Sequence, residues 1–136
     1  FYFDTVSTDF VMEVKIRGGY RDLYDQAGIM LRVNEKHWIK TGIEYVDGIQ
    51  NLSAVVTHDY SDWSIIPLTH PPEAIRLRVE RRNEANHSSY YDQVNGLTMF
   101  RLAYLSAETM QVGLMCASPD GNGFEVTFED YRLNPI

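Results

Sequence analysis

Gln26, Arg32, Lys40 and Glu44 recur at even spacing within two runs of alternating apolar and polar residues, 26–33 and 38–46. Side chains two apart in a strand share a face. Gln26, Gly28, Met30 and Arg32 therefore oppose Ala27, Ile29, Leu31 and Val33, and Lys40, Gly42 and Glu44 oppose Ile39, Thr41 and Ile43. If the two runs are neighbours in a sheet, an amide, a guanidinium, an ammonium and a carboxylate gather beside small glycines, the outline of a shallow groove for an extended ligand. Such groups exchange hydrogen bonds with hydroxyls, while Tyr24, Tyr60 and Trp63, read as loop residues, supply planes on which sugar C–H faces pack. A Glu44 beside Lys40 or Arg32 stays ionised, which suits accepting hydroxyl hydrogen bonds better than donating a proton. The same four residues also fit plain cross-strand pairing on a solvated face, and Trp63 also fits a packed core.

Other chemistry lacks the spacing it needs. Glycoside hydrolysis requires two carboxylates at a fixed separation. Glu125 and Glu129 share a face, but Thr127 stands between them, and Glu44 and Asp47 lie three apart, on opposite faces or across a turn. No two of His37, His58, His70 and His87 have metal-ligand spacing on one element. Asp59-x-x-Asp62 and Asp120-Gly121-Asn122-Gly123 match no twelve-residue calcium loop and suit turns. Ser61 and Ser118 lack a nucleophile-elbow context, and no glycine-rich phosphate loop precedes a helix. The expectation is no catalytic residue, no metal and no cofactor. Cys116 stands alone, which excludes an internal disulfide. Alternation with Val112 and Leu114 predicts a buried thiol.

Charge narrows the partners. Twelve Lys and Arg against nineteen Asp and Glu give a net charge of −7, which opposes the phosphate neutralisation that nucleic-acid binding requires. The basic cluster Arg76, Arg78, Arg81 and Arg82 is diluted by Glu80 and Glu84 and reads as a solvated strand face. No apolar run approaches the length of a membrane span, and the opening Phe1-Tyr2-Phe3-Asp4 has no signal-peptide pattern. A cytoplasmic location is expected, with a saccharide or a protein as partner.

The elements that must position these residues are short. Runs 9–16, 26–33, 38–46, 52–58, 63–68, 74–82, 88–94, 98–105, 109–117 and 124–133 read as about ten strands. They are separated by turn residues such as Gly18-Gly19, Asp47-Gly48, Pro71-Pro72 and Asn95-Gly96, the last being the best hairpin signal. Even spacing without linker, repeat or long amphipathic helix predicts one all-β domain over 1–136, a two-layer antiparallel sandwich. For a 15.7 kDa chain, surface scaling predicts roughly 7,300 Å² of exposed area when folded.

Tyr24-Asp25-Gln26-Ala27-Gly28, Trp38-Ile39-Lys40-Thr41-Gly42-Ile43-Glu44-Tyr45, Val55-Val56-Thr57, Ser61-Asp62-Trp63-Ser64 and the stretch from Gly113 through Ser118-Pro119 together resemble the domain family related to the fungal regulator-of-enolase protein. The resemblance implies a jelly-roll sandwich of the concanavalin A-like lectin/glucanase type, and a further segment that relatives carry ahead of the stretch matched by Phe1. It implies little chemistry. Glucanases of this broad fold carry an E-x-D-x-x-E type strand that is not found here. Alginate lyases of similar fold use K-A-G-x-Y, where Lys40-Thr41-Gly42-Ile43-Glu44 has Glu44 in place of the tyrosine. The expected function is a non-catalytic binding domain for carbohydrate or a glycoconjugate, with Gln26, Arg32, Lys40 and Glu44 as hydroxyl partners and Trp63 and Tyr24 as stacking surfaces. The rivals are an intracellular protein-interaction module regulating metabolism, and an unrecognised glycoside hydrolase or polysaccharide lyase.

Overall fold

Alternating apolar and polar residues become eleven strands and no helix in the computed structural model, which describes residues 1–136. They are β1 (Tyr2–Val6), β2 (Phe10–Gly18), β3 (Gln26–Asn34), β4 (His37–Val46), β5 (Ile49–His58), β6 (Tyr60–Pro67), β7 (Ile75–Arg82), β8 (Ala85–Asp92), β9 (Gly96–Tyr104), β10 (Met110–Ala117) and β11 (Val126–Pro135). The order β1-β10-β3-β4-β5-β6 makes a six-stranded antiparallel sheet, and β11-β2-β7-β8-β9 a five-stranded one. The two pack face to face as a two-layer antiparallel β-sandwich. Phe10, Met12 and Val14 of β2 are fully buried against Ile29 and Leu31 of β3, Ile39 of β4 and Leu77 and Val79 of β7. Each such side chain contributes roughly 1.5–3 kcal/mol by leaving water. The accessible surface, 7387 Å², is that of a chain folded around one core.

Turn chemistry sets the pairing. Asp47 and Gly48 take φ of 52° and 75° between the paired residues Val46 and Ile49, the two-residue hairpin geometry that matches strand twist. Asn95-Gly96 also turns a hairpin, but over a longer loop. Gly96 pairs with Asp92 at a φ of 71°, and the Asp92 carboxylate accepts from the Val94 and Asn95 N–H groups.

Four readings of the sequence require correction. β1 is an additional strand, placed by pairing with the sequence-distant β10. Tyr60 lies in β6 rather than in a loop, and Trp63 belongs to the strand of run 63–68 rather than to the loop before it, because Asp59 at a φ of 64° closes a one-residue turn and pairing resumes at once between His58 and Tyr60. Cys116 is exposed. Its register opposite Ala27 is the inward one, but β1 begins at Tyr2 opposite Leu114, so the end of β10 has no strand beyond it. Arg81 is 7% exposed rather than solvated. It shares the inward face of β7 with Leu77 and Val79, and its guanidinium donates to the carbonyls of Asn83 and Ala107, both at 2.7 Å.

Candidate functional site

The outward face of the six-stranded sheet collects the residues singled out from the sequence. Its register aligns Gln111, Arg32, Trp38, Thr57 and Ser61 in one row across β10, β3, β4, β5 and β6. The next row is Gly113, Met30, Lys40, Val55 and Trp63; the third is Met115, Gly28, Gly42, Ser53 and Ile65; the fourth is Ala117, Gln26, Glu44, Asn51 and Pro67. β3 and β4 are thus neighbours, and Gln26 stands directly opposite Glu44.

Two glycines meet at the centre of this face, and the flanking side chains leave a gap of only about 10 Å³ above them. A Cβ on Gly28 would overlap the Thr41 carbonyl oxygen and come 2.8 Å from Gly42 Cα, and one on Gly42 would come 2.5 Å from Gly28 Cα. The backbones approach too closely for any side chain, so neighbouring rows lean over the gap. Lys40 extends across it and donates from Nζ to Gln26 Oε1, while Gln26 Nε2 donates to the Tyr24 carbonyl at 3.0 Å. The same ammonium lies 5.7 Å from the Trp38 ring centroid, within cation–π range. Burial pulls the Lys40 pKa below its ordinary value, and the nearby Glu44 carboxylate partly offsets this.

Glu44 forms the second half of the site. It is 6% exposed, and a carboxyl group so enclosed needs hydrogen-bond partners. Oε1 accepts from Trp63 Nε1 at 2.9 Å and from Ser53 Oγ at 3.3 Å. The indole is thereby fixed at one edge while 51% of the residue remains exposed. Glu44 is the one carboxylate on this face, so a paired-carboxylate arrangement has no second member there.

Placement of the other expected residues is mixed. Arg32 is on the same face but three rows from Gln26 and Glu44, donating from Nη1 to Gln111 Oε1 at 3.1 Å. Tyr24 precedes β3 at a φ of 67°; its N–H donates to the Tyr45 carbonyl at 2.7 Å and its carbonyl orients Gln26. Tyr60 falls three residues from Trp63, on the opposite face of β6. Two members went unrecognised in the sequence. Trp38 precedes Lys40 by two residues, so alternation alone could have placed it on the face; Ser53 could be found only from the pairing of β5 with β4.

Asp25 anchors the entry to this site from behind. It is fully buried and accepts from the N–H groups of Arg21 and Asp22, both at 2.9 Å, and from Ser118 Oγ at 2.5 Å. Burial alone would raise its pKa, but the hydrogen bonds from Ser118, Asp22 and Arg21 outweigh that and hold the carboxyl below the usual range.

Comparison with known proteins agrees with the fold and leaves the chemistry open. The chain is 35% identical over 125 residues to "Regulation of enolase protein 1" of Saccharomyces cerevisiae, covering 91% of this chain and 63% of that protein's length. A crystal structure of a functionally unknown protein from Saccharomyces cerevisiae superposes with a TM-score of 0.92 at 33% identity, over 100% of this chain and 74% of that one. The GH43 protein BlXynB from Bacillus licheniformis shares the fold at a TM-score of 0.80 and 12% identity, over 95% of this chain and 28% of that chain. The model of the family described as "Protein of unknown function (DUF1349)" matches residues 1–136. The chain belongs to the DUF1349 family.

Proposed function

We propose that this chain is a non-catalytic binding domain that takes a carbohydrate chain on the outward face of its six-stranded sheet. One observation carries the reading: both tryptophans of the chain, Trp38 and Trp63, stand on that face, two strands and one register row apart. From strand spacing and rise, their Cα atoms are about 12 Å apart, a span suited to an oligosaccharide rather than a single ring. Beside them on the same face lie Gln26, Lys40, Glu44 and Ser53, linked to one another and to Trp63 by hydrogen bonds. Aromatic planes beside a few fixed polar groups are what sugar binding uses. The fold shared with a GH43 protein is compatible with this and adds nothing about specificity.

Thermal melting against a saccharide panel tests the proposal. A ligand at about one hundred times its dissociation constant adds roughly 2.7 kcal/mol to folded stability, which moves the melting point of a domain this size by on the order of ten degrees. Stabilisation by one sugar class that is lost in Trp63→Ala and Lys40→Ala supports the reading, and no response to any sugar removes it. A protein partner is the second reading. It is favoured by the outward row Leu97, Met99, Leu102 and Tyr104 on edge strand β9, each about half exposed, and by the name of the yeast relative.

A further inference from the structure

The two outward sheet faces treat charge in opposite ways. Every ion pair in the molecule belongs to the five-stranded sheet or its adjoining loop. Arg17 pairs with Glu73 and Glu129, Arg76 with Asp130, Arg78 with Glu13 and Glu80, and Arg82 with Glu80. That face neutralises itself. On the six-stranded sheet, Arg32 and Lys40 have no carboxylate within ion-pair distance; each hydrogen-bonds only a neutral amide oxygen, Gln111 Oε1 for Arg32 and Gln26 Oε1 for Lys40. The one acid on that face, Glu44, has Oε1 occupied by Trp63 and Ser53 and acts on Lys40 through space without forming an ion pair.

We propose that the saccharide bound on this face is anionic, a chain bearing uronate carboxylates, with Arg32 and Lys40 as its charge partners. The inference rests on the saccharide reading above and specifies its ligand. An ammonium has three donors and a guanidinium five, and the contacts named use one of each. The free edge of the Arg32 fork matches a carboxylate in bidentate geometry. Lys40 is the point charge beside it. Arg32 and Lys40 lie on adjacent strands one register row apart, so their Cα atoms are roughly 8 Å apart, close enough for both to meet successive residues of one chain. Trp38 sits directly opposite Arg32 and beneath Lys40, providing a plane for the sugar ring whose carboxylate they hold. The net charge of −7 does not oppose this at close range. Screening at physiological ionic strength acts over about 8 Å, and the paired acids stand on the far side of the sandwich.

Titration calorimetry of the intact chain with tetramers of galacturonate and mannuronate, their methyl esters, and neutral xylo- and galacto-oligosaccharides tests this. The ester keeps the ring and hydroxyls and removes the charge. The expected result is binding of a uronate tetramer with its methyl ester at least about tenfold weaker, the scale of a charge-assisted hydrogen bond. Arg32→Gln and Lys40→Gln should each weaken the acid about tenfold and the ester by a smaller factor, so that the acid-to-ester ratio falls. Equal affinity for acid and ester, or binding of neutral chains alone, overturns the inference while leaving the saccharide reading standing. No binding by any member of the panel removes both. The acid-to-ester comparison needs no variant, so a substitution that impairs folding does not block the test.

Discussion

The indole of Trp63 and the carboxylate of Glu44 depend on each other. Without the Nε1 donor, a nearly buried carboxylate keeps Ser53 alone, and the ring loses the bond that fixes its plane. Trp63→Phe should therefore cost about 0.5–1.5 kcal/mol in denaturant unfolding, the range for one net hydrogen bond, and should weaken saccharide binding as well. Unchanged stability would contradict the coupling. At Asp25 the folded pKa lies below the ordinary value, so between the two values the unfolded chain binds more protons. The stability this carboxylate contributes is complete above about pH 5 and is lost as pH falls through the acid range. Asp25→Asn should flatten the pH dependence of unfolding there; an unaltered profile would refute the assignment. Cys116, exposed at the end of β10, should be labelled by a maleimide in the native state without unfolding, whereas protection until unfolding would restore the buried thiol expected from alternation.

At the scale of elements, the Gly28–Gly42 contact brings the backbones of β3 and β4 together beneath the Lys40–Gln26 bond. Gly42→Ala puts a Cβ into the backbone of β3; the expected loss is about 1–3 kcal/mol, as for overpacking, together with loss of the Lys40–Gln26 contact across the gap. Alanine tolerated with full stability would mean that the strands can separate freely. The alternation of β2, β3, β4 and β7 was legible because each buries one face and exposes the other, and with it came the shared face of Gln26, Lys40 and Glu44. Pairing was less legible. Nothing in a period of two says that β10 inserts between β1 and β3, and both the additional edge strand and the exposure of Cys116 follow from that insertion. Arg81 reads as solvated because of its charge, although its even spacing from Leu77 and Val79 already pointed it inward.

Taken as a molecule, the sandwich separates two kinds of surface. The five-stranded sheet carries the ion pairs, and the six-stranded sheet carries both tryptophans, the buried carboxylate and two cations that enter no ion pair. The layered all-β architecture was readable from even strand spacing and turn residues, whereas this division of labour was not, because it depends on which strands share a sheet. Arg32 and Trp38 become neighbours, and Trp63 reaches Glu44, only when β3, β4, β5 and β6 are laid side by side. That arrangement provides a direct test, since the chain has two tryptophans and therefore two indole N–H resonances, both reporting on the proposed face. The decisive measurement is a two-dimensional nitrogen–proton spectrum recorded during saccharide titration. Saturable shifts of both indole signals are expected, accompanied by backbone shifts at Gln26, Lys40 and Ser53. Saccharide-dependent shifts confined to the five-stranded sheet, or indole signals that stay fixed across the whole panel, would contradict saccharide binding on this face.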